Sequence, residues 1–443
     1  MNDENRFAAE LEKLGAKSFS TRTERFGRVT RVVGLTVEAT GITAEIGAQC
    51  VIETSRDEPP IEAEVVGFDG KHLYLMPIHY LEGIKAGSLV RFKQAQSLVG
   101  VGESMLGRVI NGLGEPIDGK GSISFDAQVA LDARAVNPMQ RGAVKDTLDT
   151  GIKAINGCLT FGKGQRMGVI AGSGVGKSIL MGMLTRNTAA DVVVIGLIGE
   201  RGREVQEFVQ RTLGEAGLAR AIVVAAPVDV SPVMRIKAAK LTHSIAEYFA
   251  SKGNDVLLLF DSLTRVAHAQ REIGLAVGEP PTTKGYTPSV FSLLPKLIER
   301  VGVGPGPQGS ISAFYTVLAE GDDRSDPIVD VARATLDGQI MLSRELADAA
   351  HYPAIDLEGS ISRVATNLLT KDQILIAQRL RRYWTLYAQK QDLIQVGAYT
   401  EKTDPELDEA IRLKGMINAF LTQDSDEVFD LAQTFSQLKQ TMS

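Results

Sequence analysis

The stretch Ala171-Gly-Ser-Gly-Val-Gly-Lys-Ser178 combines three glycines, a lysine and two serines in an order that suits a phosphate chain. An apolar run, "MGVI", precedes it and an amphipathic run, "SILMGMLTR", follows it. A glycine-rich loop between a strand and a helix offers backbone N–H groups to phosphate oxygens at a helix N-terminus. In that setting Lys177 is expected to reach the β- and γ-phosphates of a nucleoside triphosphate and Ser178 to put its hydroxyl on Mg²⁺. The cradle is read as Ala171, Gly172, Ser173, Gly174, Val175, Gly176, Lys177, Ser178 and Ile179. Ala171 stands where the strict pattern has glycine. It is tolerated if that position closes the strand with negative φ and Gly172, Gly174 and Gly176 supply the turn. A glycine-rich turn binding nothing is disfavoured, because a buried lysine without an anionic partner is costly.

A second apolar run, "VLLLFD", ends in Asp261. An acid at the carboxyl end of a parallel strand faces the crevice where ligands bind. Asp261 is therefore the expected Mg²⁺ anchor, acting through water. Hydrolysis also needs a group that orients water. Ser262, not glutamate, follows Asp261, so the base must come from elsewhere. Glu200 follows the run "DVVVIGLIG" and is expected at the same sheet edge, close to the γ-phosphate. The alternative is that Glu200 only pairs with Arg201 or Arg203 at a helix start.

The elements that must hold these groups can be read along the chain. Its 443 residues suffice for about three domains. With 44% hydrophobic and 23% charged residues, a packed globular protein is expected. Residues 1–22 carry Phe7, Leu11 and Leu14 at helical spacing and suit an amphipathic helix, either packed on its own body or binding a partner. Residues 23–95 hold short β-branched runs, with Asp69-Gly70 as a hairpin signal, and suit a small closed barrel. Residues 96–365 alternate nearly continuous apolar strands with helical stretches, the pattern of a parallel sheet covered on both faces. Residues 366–443 read as helices, with Asp404-Pro405 as a helix start. The fold class is α/β, with an N-terminal β-barrel and a C-terminal α-helical domain.

Composition narrows the function further. The net charge of −6 does not suggest a protein that coats nucleic acid. Cys50 and Cys158 read as reduced thiols, and the five histidines form no zinc-like cluster. The N-terminus lacks a signal pattern, and no apolar run approaches the ~20 residues of a membrane helix. A cytoplasmic protein is expected, with at most peripheral membrane association.

The motifs "AGSGVGKS", "GLIGERGREV", "LLLFDSLTRVAHAQREI", "GEPPTTKGYTPSVFSLLPKLIER", "FYTVLAEGDD" and "HYPAIDLEGSISRV" together resemble the export ATPases of type III secretion systems. These are relatives of the rotary F- and V-type ATPases. The resemblance runs from about residue 25 to the C-terminus. The barrel segments "GRVTRVVGLTVEATG" and "EVVGFDGKHLYLMP", with "LGRVINGLGEPIDG", resemble the flagellar branch most. Injectisome members share most of the motifs. The catalytic subunit of rotary ATP synthases has "GGAGVGKT" and "GERTREG" at the corresponding places, unlike this chain.

The resemblance implies a RecA/F1-like P-loop core that hydrolyses ATP with Mg²⁺. It implies that Glu200 is the catalytic carboxylate and that Arg201 contacts the phosphates or a neighbouring subunit. Tyr352 would stack on adenine, with Phe420 and Gln423 completing that pocket; the alternative for Tyr352 is a core aromatic. Arg363 would be an arginine finger reaching the adjacent subunit's site; the alternative is a surface or salt-bridged arginine. A finger of that kind implies a homohexamer. The implied partners are a stator-like regulator at the N-terminus, the export gate, and export substrates with their chaperones, at the inner face of the cytoplasmic membrane. A RecA-like nucleic-acid motor is the competing class. Glu38, Glu45, Glu53, Glu62 and Glu64 and the few aromatics of the barrel region argue against it, so no nucleic-acid partner is expected.

Overall fold

The computed structural model describes residues 25–54, 58–79, 83–132, 136–172, 174–319 and 326–443. The amphipathic helix expected over residues 1–22 lies outside them, as do Ser173, Glu320 and Asp322. The chain forms two compact units that meet in sequence at Ala95 and Gln96, with the short segment at 77–80 counted in the second.

The first unit is a closed barrel. Its strands are β1 (Phe26–Val33), β2 (Thr36–Thr40), β3 (Gln49–Ile52), β4 (Ile61–Asp69), β5 (His72–Pro77) and β6 (Leu89–Gln94), paired in the order β1-β2-β5-β4-β3-β6. Alternation drives it: Ile61, Ala63 and Val65 point inward along β4, between half-buried Glu62 and Glu64. Gly70 turns β4 into β5 with φ of 57°. Cys50 lies in the barrel core, where burial pushes its thiol up to about 11 and leaves it inert.

The second unit is built on a parallel sheet. Short strands β7 (Leu98–Val101) and β9 (Ala127–Ala130) pair with each other, while β8 (Val109–Ile110) and β14 (Gly302–Val303) join the sheet, whose principal strands are β10 (Arg166–Ala171), β11 (Val192–Ile198), β12 (Ala221–Ala226), β13 (Val256–Asp261) and β15 (Ser310–Leu318). Their order across the sheet is β10-β15-β13-β11-β12. β16 (Gly338–Leu342) extends the sheet beside β10, and β17 (Ile355–Ser362) closes that edge antiparallel to β16. Almost every residue of the principal strands is buried, which is why the sequence shows them as continuous apolar runs rather than alternating ones.

Crossover helices cover both faces. Helix Pro232–Ser251 begins as its sequence dictates, with the Ser231 hydroxyl accepting from Met234 N–H and proline at the first helical position. The helical stretch after β11 is not one regular helix: it is α-helical at Gly202–Glu207, π-helical at Phe208–Leu213 and α-helical again at Gly214–Ala219.

The C-terminal helices are Lys371–Gln395, Pro405–Leu421 and Leu431–Thr441. Asp404 caps the second of them by accepting from Glu406 and Leu407 N–H. The segment expected as a domain of its own shares one hydrophobic core with the sheet unit. Leu380, Leu413, Ile417 and Leu438 join Ile155, Phe161 and Met167 there. Each such buried side chain contributes about 1.5–3 kcal/mol. Among the described residues, no helix is long and apolar enough to cross a membrane.

Candidate active site

The phosphate-type loop leaves the carboxyl end of β10. Ala171 is the last strand residue; it pairs with Leu318 and its carbonyl accepts from Ala319 N–H at 3.2 Å. It is a strand position, so alanine replaces glycine there without backbone strain. The left-handed conformations fall on Gly174 (φ 79°) and Gly176 (φ 90°). A Cβ on Gly176 would also crowd the Tyr352 ring, at 3.3 Å, but the positive φ is what calls for glycine there. Helix Lys177–Asn187 starts directly after it. The Ala171 and Val175 side chains sit in the hydrophobic core; Ala171 borders the cleft, and Val175 anchors the loop from beneath without lining it.

Two further strands deliver carboxylates to the same edge. Asp261 ends β13, and Glu200 stands two residues beyond β11. Gly199 makes the turn with φ of 73°, and a Cβ there would meet Arg265 Cβ at 2.8 Å. Lys177 Nζ lies 2.6 Å from Asp261 Oδ1 and 3.5 Å from Glu200 Oε1. The Thr316 hydroxyl of β15 donates to the same Asp261 Oδ1 at 2.5 Å.

The electrostatics follow from burial. Removal from water, then the Asp261 charge, pushes the Glu200 carboxyl up to about 7, against the pull of Lys177 and Arg265. Burial works against the Lys177 charge, but Asp261 and Glu200 outweigh it and hold its ammonium above the usual range. The result is a charged lysine beside a carboxyl whose proton affinity is close to that needed for exchange with water near neutral pH.

A cavity of about 770 Å³ opens over this cluster. The loop, Ser178, Ile179, Glu200, Arg201, Arg265 and Arg344 line it. A second lobe of about 440 Å³ adjoins it through Gly176 and Ile179, beneath Tyr352. Tyr352 is 41% exposed, so it is a wall of this lobe and not a core aromatic. Together the lobes offer a polar end for phosphates and an aromatic end for a base.

Not every expected residue meets the cluster. Arg201 is 80% exposed at its side chain and lies 3.7 Å from Glu204. It borders the cavity without touching Lys177. Phe420 is buried in the core against Gly157 and lines neither lobe. Helical spacing explains its place: Leu413, Ile417 and Phe420 share one buried face of helix Pro405–Leu421. Gln423 borders the second lobe, yet its amide is committed elsewhere. Its Oε1 accepts from Lys153 N–H at 2.8 Å, and its Nε2 donates to Gly151 and Glu427 carbonyls at 2.9 Å. Its own N–H donates to Tyr352 O, so it supports the aromatic wall from behind.

Arg363 lies at the far end of the sheet. Its N–H donates to Asp337 O, and Asp337 N–H donates to Arg166 O, at the start of β10. The loop begins five residues further along that strand, roughly 16 Å away. The Arg363 guanidinium rests on the Arg333 and Leu336 carbonyls, beside the C-terminus of helix Pro327–Thr335. It is exposed and cannot reach its own chain's loop.

Sequence reasoning missed Thr316. Thr316 is one of four hydroxyl residues in the run "SISAFYTVL", with Ser310, Ser312 and Tyr315, and its meaning depends on β15 lying between β10 and β13.

Sequence models of two families match. That of the ATP synthase alpha/beta family nucleotide-binding domain covers residues 151–362, and that of the T3SS EscN ATPase C-terminal domain covers residues 369–440. A flagellum-specific ATP synthase of Pseudomonas aeruginosa is 53% identical over 93% of this chain and 92% of the relative. One of Salmonella typhimurium is 50% identical over 94% of each chain. A type 3 secretion system ATPase of Xanthomonas euvesicatoria is 47% identical over 94% of this chain and 93% of the relative. Among solved structures, the assembled ATPase EscN of the enteropathogenic E. coli type III secretion system superposes with a TM-score of 0.88 at 39% identity. That match covers 94% of this chain and all of EscN. The same ATPase in complex with its central stalk EscO gives a TM-score of 0.86 at 38% identity, with the same coverage.

Proposed function

We infer this chain's function from its kinship: it belongs to the ATP synthase alpha/beta family, in the branch of the flagellar and type III secretion ATPases. It is an ATPase that energises protein export through a flagellar type III apparatus. Flagellum-specific relatives at 53% and 50% identity, against 47% for the injectisome-type relative, support the flagellar branch.

The observation that carries the chemistry is the Lys177–Asp261–Glu200 cluster at the mouth of a glycine loop. Loop N–H groups and Lys177 bind the β- and γ-phosphates. Glu200 orients the attacking water and takes up its proton, and Tyr352 stacks on the adenine. Gln423 positions Tyr352. Arg201 borders the phosphate end, where it meets either the phosphates or a neighbour. Phe420 is part of the core and has no place in the adenine pocket.

The donor set also suits Mg²⁺. Among the described residues there is no group of three or more His, Cys, Asp or Glu that would cage a metal. Mg²⁺ does not need one, since it takes one or two protein oxygens and completes its shell with phosphates and water. Ser178 and Asp261 would hold it, and when bound it neutralises charge developing between the β- and γ-phosphates.

The working form is a homohexameric ring. Two observations support this reading: EscN, the superposable relative, has been solved assembled and with a central stalk, and Arg363 is exposed and too far from its own chain's loop to serve it. A stator-like regulator binds the N-terminal segment, and the ring acts on chaperoned substrates at the export gate, peripherally at the inner face of the cytoplasmic membrane. A test is genetic. This chain should restore motility and secretion of flagellar proteins in a bacterium deleted for its own flagellar export ATPase, and Asp261→Asn should not. Equal rescue by Asp261→Asn would detach export from the site; a chain that assembles but never rescues would overturn the flagellar reading.

A further inference from the structure

Asp261 Oδ1 takes two donors of different kinds. One is the Lys177 ammonium at 2.6 Å, and the other is the Thr316 hydroxyl at 2.5 Å. Thr316 is fully buried on the central strand β15, one register beyond the Phe260–Tyr315 pair, and level with Val169 on β10. It thus stands on the strand between the loop-bearing strand and the one that ends in Asp261. Its stretch neighbours, Phe314, Tyr315 and Val317, are core side chains.

Lys177 has competing partners. Its ammonium also lies 3.5 Å from Glu200, and incoming phosphates compete for it more strongly than either carboxylate. A carboxylate held by Lys177 alone would lose its orientation when the lysine turned to phosphate. Thr316 has no such freedom, because its β-branched side chain is fixed by the strand and the core. We propose that Thr316 is a positioning residue for the metal: its hydroxyl fixes the Asp261 carboxyl plane, so that the second oxygen is presented to Mg²⁺ in one orientation throughout nucleotide binding. This rests on the reading of Asp261 as the Mg²⁺ anchor.

Thr316→Val keeps the shape and removes the donor; Thr316→Ser keeps the donor and removes the methyl. The test is binding of a fluorescent ADP analogue to the full chain, in saturating Mg²⁺ and in EDTA. The ratio of the two dissociation constants measures how strongly the metal and the nucleotide assist each other. In Thr316→Val that ratio should fall about tenfold, the order of one hydrogen bond to a charged group, with the affinity in EDTA within about twofold of wild type. Thr316→Ser should restore it. A merely structural role would instead weaken binding equally in both conditions, and an unchanged ratio would leave Thr316 without a role; either result overturns the proposal. If Thr316→Val does not fold, Thr316→Ala, which adds no new contact, gives the same reading. A wild-type ratio of one would be a different failure, because it removes Mg²⁺ from Asp261 altogether.

Discussion

Mixing two inactive variants, Arg363→Ala and Lys177→Ala, should restore ATP hydrolysis. An Arg363→Ala subunit keeps its own Lys177, Ser178, Asp261 and Glu200 but offers its neighbour no finger. A Lys177→Ala subunit cannot use ATP, yet it still presents Arg363. In a mixed ring some Arg363→Ala sites face an intact arginine, and those sites have every part they need. The geometry motivates the arrangement: Arg363 sits by the start of β10, roughly 16 Å from the loop at its end, on the carbonyls of residues 333 and 336. Each homogeneous variant should stay near background, because a finger supplied in trans is worth roughly 10³–10⁵ in rate. Recovery should peak near equal ratios. If native mass spectrometry shows mixed rings and activity stays at background at every ratio, the in-trans role fails.

Glu200→Gln should bind ATP and assemble but lose roughly 10²–10⁴ in kcat, since the amide keeps the shape and cannot take the proton of the attacking water. The acidity of this group adds a second signature. Burial and the Asp261 charge raise the Glu200 carboxyl to about 7 in the free protein. A base must be unprotonated to act, so kcat/KM of the wild type should fall as pH drops through about 7 and level off above it. The residual activity of Glu200→Gln should lack that step. An unchanged kcat would hand the role to another acid, of which Glu320 and Asp322 are the nearest in sequence to β15.

Much of the fold was legible because its determinants are local. Strands buried on both faces must be apolar throughout, so β10 to β13 and β15 stand out in the sequence. The barrel strands announce themselves by alternation and by Asp69-Gly70. The lysine, Asp261 and Glu200 were legible because Asp261 ends a strand, Glu200 follows one after a single turn residue and Lys177 follows one through the glycine loop, and strands that run parallel deliver their ends to one edge.

What depends on strand order was not legible. Thr316 meets Asp261 only because β15 lies beside β13, and nothing within "SISAFYTVL" says so. Arg363 falls at the opposite edge because β17 runs antiparallel, which its own sequence does not record. The π-helical segment Phe208–Leu213 interrupts a pattern that reads as one helix. For Phe420 the signal was present and pointed to the core: its spacing from Leu413 and Ile417 is that of a buried helix face.

The central claim is that ATP is cleaved where Lys177 meets Asp261 and Glu200. Phosphate release from Mg²⁺·ATP by wild type and Lys177→Ala, measured side by side on folded protein, tests it most directly. The wild type should turn over steadily, and the variant should release no more than a few per cent as much, because the β- and γ-phosphates lose their main cation. A Lys177→Ala protein that hydrolyses ATP at an appreciable fraction of the wild-type rate would contradict it.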